Sequence, residues 1–121
     1  MARYVDGFVI PIPRKNVAYY RKMAKKAGEI WKEHGALEYL ECEAEDLTVK
    51  GGMTSFRKCA RAKPSETVYF SWIVYPSKTA RNRINRKVLN DPRIHAMMEN
   101  QRMPFDVKRM VFGGFKAVVD L

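Results

Sequence analysis

Apolar positions along this chain follow two rhythms, one of two residues and one of three to four. Residues 4–10 (YVDGFVI) are β-branched and aromatic, and Pro11 and Pro13 follow, which predicts a strand ended by the prolines. Over 17–34 the spacing changes. Val17, Tyr20, Ala24, Ala27, Ile30, Trp31 and His34 recur at three and four, the mark of a helix, with Asn16 as its N-cap and Gly35 as its left-handed terminator. Residues 36–45 alternate as a second strand. An irregular stretch over 47–66 holds Gly51-Gly52, Lys63-Pro64-Ser65 and a short helical turn near Ser55-Phe56. Residues 67–75 (TVYFSWIVY) form the strongest strand. Ser77 caps a second long helix that turns Ala80, Ile84 and Val88 inward. Asp91-Pro92 opens a further short helix over Ile94 to Met98. The loop Met103-Pro104-Phe105-Asp106 leads into a last strand over 109–119, with Asp106 capping a turn. The order β-α-β-β-α-β, joined by right-handed crossovers, predicts an α+β ferredoxin-like sandwich. It has one antiparallel four-stranded sheet with its helices on one face. With no repeat or linker, residues 1–121 read as a single domain.

Alternation splits each strand into two sets. The aliphatic sets are Val5, Gly7, Val9, then Leu40, Cys42, Ala44, then Val68, Phe70, Trp72, Val74, and last Val111, Gly113, Phe115. The mixed sets carry Tyr4, Asp6, Phe8, Tyr39, Glu41, Tyr69, Ile73, Tyr75, Phe112 and Lys116. The aliphatic sets are expected to meet the helices and the mixed sets to lie bare. That much aromatic surface is costly in water. A second copy of the chain is therefore expected to cover it, sheet against sheet. Tyr4, Phe8, Tyr69, Ile73 and Phe112 would form the apolar contact, with Asp6, Glu41 and Lys116 in its polar parts.

Charge and cysteine content adjust this picture. The chain carries 23 Lys+Arg against 13 Asp+Glu, a net charge of +10. A basic nucleic-acid-binding module is the alternative reading of that excess. Many of the cations fall on helix surfaces, however, and the strand aromatics have little basic interleaving. The cytoplasm is the expected location, because no apolar run could span a bilayer and the opening residues do not resemble a signal peptide. Cys42 and Cys59 read as reduced thiols, Cys42 buried and Cys59 accessible.

Several segments together carry a family resemblance. They are Tyr4-Val5-Asp6-Gly7-Phe8-Val9, His34-Gly35-Ala36-Leu37-Glu38-Tyr39, Phe70-Ser71-Trp72-Ile73-Val74-Tyr75, Asn90-Asp91-Pro92-Arg93 and Met103-Pro104-Phe105-Asp106, with Arg109-Met110 and Gly113-Gly114-Phe115 at the end. The chain resembles the YbaA-like family of small bacterial proteins. The resemblance covers nearly its whole length and implies a dimeric α/β barrel, in which ferredoxin-like protomers pair through their sheets. It implies no particular activity, since that superfamily includes cofactor-free monooxygenases, haem-degrading enzymes and ligand-binding modules.

The favoured reading is a small organic ligand held between sheet and helices, without a bound cofactor or metal. His34 and Glu38 are candidates to polarise it, Trp72 to line the pocket, Arg81 and Asn85 to hold an anionic group from one helix face, and Phe105 to close a lid. No pair of metal-ligand spacing occurs, and Gly51-Gly52 lacks the pattern of a phosphate loop.

Overall fold

Four strands pair in the order β2-β3-β1-β4, every neighbour antiparallel. They are β1 (Tyr4–Pro13), β2 (Glu38–Glu43), β3 (Glu66–Tyr75) and β4 (Val111–Lys116). The helices are α1 (Val17–Glu33), α2 (Phe56–Ala60), α3 (Lys78–Leu89) and α4 (Pro92–Asn100). The computed structural model describes residues 1–100 and 102–121. The ferredoxin-like sandwich predicted above is present, with α1 and α3 as its helical layer.

Local chemistry sets most boundaries. The Ser77 hydroxyl accepts from Ala80 N at 3.1 Å, and Ser55 accepts from Lys58 N at 3.1 Å, so both cap their helices. Asp91 does the same before α4, accepting from Arg93 N at 2.9 Å. Gly35 follows α1 at φ +118°, a conformation costly for any residue with a Cβ. Several boundaries differ from expectation: β2 is shorter than 36–45, and β4 is shorter than 109–119 and follows a 3-10 turn over Val107–Arg109. β1 runs on through Pro11 and Pro13, because β4 stops pairing at Val9 and the donor-less nitrogens cost no ladder bond on that open edge. Asn16 gives α1 no side-chain cap; its amide donates instead to Pro104 O at 2.9 Å and ties the helix start to the 103–106 loop.

The main correction concerns the faces of the sheet. The mixed sets, not the aliphatic ones, lie under the helices. Ile73 and Tyr75 pack with Ile30 of α1, Ile84 and Val88 of α3 and Ile94 and Met97 of α4, with Phe8 and Tyr39 alongside. Tyr69 packs with Ile10, Ile12, Tyr20 and Ala24. Asp6, Tyr69 and Ile73 are 1%, 2% and 3% exposed, so none of them is free to meet a second chain. Tyr4 and Phe8 are half-buried on the same side, and Phe112 and Lys116 follow them on edge strand β4. The physical reason is that the polar groups of this face satisfy one another. Tyrosine rings fill the core while their hydroxyls reach carboxylates. Among the described residues no buried side-chain nitrogen or oxygen lacks a hydrogen-bond partner.

The aliphatic face is therefore the bare one. Among the described helices α2 lies on it, covering one end through Ala60 against Val9 and Val68, with Leu47 and Ala62 alongside. The Trp72 ring lies on this face, 5.5 Å from Phe70, which is 5.5 Å from Phe56, and the residue also borders a cavity on the helix side of the sheet. Leu40, Phe70, Val111 and Phe115 remain exposed at 40%, 42%, 42% and 63%, and Cys42 is half-buried among them.

Candidate functional site

Between α1 and the sheet lies a cavity of about 150 Å³. The strands bring Phe8 and Ile10 from β1, Tyr39 and Glu41 from β2, and Ser71 and Ile73 from β3. Helix α1 contributes Tyr20 and Trp31, and Phe105 and Met110 close the remaining side. Alternation explains the convergence, since register sets Tyr39 opposite Ile73 and Glu41 opposite Ser71. The polar centre is Glu41. Tyr20 Oη donates to its Oε1 at 2.6 Å and Tyr39 Oη to its Oε2 at 2.8 Å. Burial pushes the Glu41 carboxyl above its ordinary range, partly offset by hydrogen bonds from Tyr20, Tyr39 and Ser71. Burial, and then the charge of Glu41, push Tyr20 and Tyr39 far up, so both remain neutral donors.

Outside this wall an open groove of about 1310 Å³ runs along α1 and the edge of β2. Cavity and groove share Tyr20, Tyr39, Leu40 and Glu41. The Tyr20–Glu41–Tyr39 bridge thus stands between the two spaces and borders both. A carboxyl so placed can anchor a hydrogen-bonding group or exchange a proton with one.

A second polar cluster buttresses the cavity. Arg81 on α3 grips Asp6 of β1 with Nη2 at 2.8 Å and Nε at 3.0 Å, and lies 5.1 Å over the Tyr4 ring. Gly114 makes room for this stack, since a Cβ there would stand 2.7 Å from Tyr4 Oη and 2.8 Å from Arg81 Nη2. Asn85 Oδ1 accepts from Trp31 Nε1 at 3.0 Å and from Tyr75 Oη at 3.1 Å. Trp31 joins the two groups, with its ring on the cavity and its N–H on Asn85.

The residues singled out in the sequence are not gathered into one site. Phe105 does line the cavity, its ring 5.8 Å from Tyr20. Arg81 and Asn85 share a helix face, but Asp6, Trp31 and Tyr75 occupy them. His34 Nε2 lies 2.9 Å from Asp91 Oδ2, where hydrogen bonds from Arg93 and His34 hold the Asp91 carboxyl well below the carboxylate range. His34 thus clamps the end of α1 to the start of α4. Glu38 is exposed at the β2 edge, and Trp72 borders the cavity while its ring stands beside Phe70 on the face turned away from the helices. Tyr20, Trp31, Tyr39, Glu41 and Ser71 were not singled out as pocket residues. The one trace of them in the strand is Glu41 two residues after Tyr39, with Glu43 two residues further on the same face. Among the described residues no three His, Cys, Asp or Glu side chains group as a metal site. No helix among them is long and apolar enough to cross a membrane.

The sandwich and its helix-covered cavity place the molecule among ferredoxin-like α+β proteins. Two solved structures share the fold. A dimeric ferredoxin-like protein from an uncultured marine organism matches at TM-score 0.63 and 5% identity, covering 100% of both chains. A NIPSNAP family protein of unknown function from Agrobacterium tumefaciens matches at TM-score 0.58 and 14% identity, over 95% of this chain and 87% of that one. The chain belongs to the family described as protein of unknown function DUF1428, which matches residues 3–107. Uncharacterized protein YbaA of Escherichia coli strain K12 is 47% identical over 118 residues, 98% of each chain. YbaA of Shigella flexneri is 47% identical over the same length.

Proposed function

We propose that the protein binds a small organic molecule in the cavity between α1 and the sheet, and that it does so as a cytoplasmic homodimer closed over the bare sheet face. One observation carries the ligand reading. An apolar space of about 150 Å³ ends on a single carboxyl, Glu41, held by two tyrosine hydroxyls and reached from an outer groove. A space of about this size accepts a molecule the size of benzene or toluene. The assembly reading draws support from the related fold described as dimeric. The nucleic-acid reading finds less support. The groove mixes Arg21, Lys25, Lys32 and Arg93 with Glu29, Glu33, Glu38 and Glu43, whereas a phosphate-tracking surface concentrates one sign.

Titration with toluene, followed by ligand-observed NMR, tests the pocket. Saturable binding is expected, and Met110→Phe, which fills the space, is expected to abolish it while the protein stays folded. Absence of saturable binding to the parent, or unchanged binding to the filled variant, would remove the cavity as the site.

A further inference from the structure

The cavity lining contains one charged group, Glu41, and no Lys, Arg or His. Three other carboxylates are buried outright and each has an arginine, whereas Glu41 is half-buried. Asp6 has Arg81 at 2.8 Å, Glu66 has Arg109 at 2.7 Å and Asp91 has Arg93 at 2.9 Å. Among the described residues the groups that bond to Glu41 are the hydroxyls of Tyr20, Tyr39 and Ser71, in a chain that carries 23 Lys+Arg. Around it stand the rings of Phe8, Tyr20, Trp31, Tyr39 and Phe105. An aromatic ring presents a negative face, and several rings about one space attract a cation more strongly when water is excluded. A carboxylate partly withdrawn from water and without a counter-charge is costly, and a bound cation offsets that cost.

We propose, on the basis of the small-molecule reading above, that the cavity selects a small organic cation, an ammonium whose alkyl groups lie against the rings and whose charge faces Glu41. A neutral molecule of the same shape fills the space but leaves the carboxylate unanswered. An anion meets repulsion from both carboxylate and rings. The tyrosines reinforce the choice: burial keeps them protonated, so they hold the carboxylate in place without neutralising it.

The test compares tetramethylammonium with tert-butanol, a neutral molecule of similar shape, by calorimetric titration of the full chain at constant ionic strength. Tetramethylammonium is expected to bind at least about tenfold more tightly. Glu41→Gln is expected to erase that margin by weakening binding of the cation. Should Glu41→Gln fail to fold, Phe105→Leu, which removes a ring from the loop side, carries the same comparison. A severalfold loss confined to the cation supports the proposal, and an unchanged margin overturns it. Equal or tighter binding of tert-butanol overturns the cation selectivity and leaves the cavity reading standing. Binding of neither molecule overturns both. Cation binding that survives Glu41→Gln undiminished places the ligand elsewhere and overturns the proposal.

Discussion

Two glutamates face opposite electrostatic situations, and their pH effects differ in sign. Glu66, 4% exposed, accepts from Arg109 Nη1 at 2.7 Å and Nη2 at 2.8 Å, and from Lys63 N at 2.8 Å. These bonds, Arg109 foremost, lower its pKa from 4.5 to about 2. A carboxyl whose folded-state pKa is depressed stabilises the fold above its unfolded value, and the gain disappears as pH falls through the folded value. Unfolding free energy should therefore drop by on the order of 3 kcal/mol from this site between about pH 5 and about pH 2. Urea titrations across that window check it, and Glu66→Gln should flatten this part of the slope. Glu41 works the other way. Its raised pKa means that the folded state binds the proton more tightly than the unfolded chain, so its contribution to stability weakens as pH rises through that range. Glu66 serves the fold through an arginine, and Glu41 stands where a ligand can take the arginine's place.

Helix α1 meets the sheet closely enough that one hydrogen atom matters. Gly28 faces Tyr39, and a Cβ there would stand 2.6 Å from the ring. Alanine favours a helix over glycine by about 1 kcal/mol. Here the added methyl must displace the ring that donates to Glu41. Gly28→Ala is expected to destabilise by roughly 1–3 kcal/mol, read as a lower Tm. Paired with Tyr39→Ala it should cost clearly less than the two changes summed. Packing of this kind marks what the sequence makes legible. The order of elements follows from local periodicity, and the caps at Ser55, Ser77 and Asp91 follow from short-range hydrogen bonding. The choice of face does not, because both faces of this sheet are apolar. What decides it is whether each polar group finds a partner on a distant element. Asp6 finds Arg81 on α3, and Glu41 finds Tyr20 on α1. Polarity alone assigns both carboxylates to a wet rim. Phe105 could be placed at the pocket because a loop of Met, Pro and Phe has to cover something. Glu41 and its tyrosines could not, since their role depends on contacts that no strand pattern encodes.

At the scale of the whole molecule the question is what covers the bare face. Its strand positions over the middle of the sheet, from Leu40 and Cys42 through Phe70, Trp72 and Val74 to Val5, Gly7, Val111, Gly113 and Phe115, bear no charge, although the chain carries +10. Water contact with this surface costs roughly 25 cal/mol for each Å², and a two-fold partner offers the same uncharged surface in return. In such a dimer Trp72 lies in the contact, whereas Ile73, its neighbour in sequence, points into the core beneath α3. Trp72→Glu is expected to yield a folded monomer in sedimentation, and Ile73→Asp to unfold the protein instead of splitting it. Thiol labelling gives an independent readout. Cys42 should react slowly in the parent and rapidly in Trp72→Glu, while exposed Cys59 reacts rapidly in both. Salt sharpens the test further. Two chains of like charge repel, and the strand positions over the middle of the face bear no charge, so added salt should tighten the parent dimer by screening. A Trp72→Glu protein that sediments as a dimer, or Cys42 labelling equally fast in both proteins, would mean that the bare face is not where the copies meet.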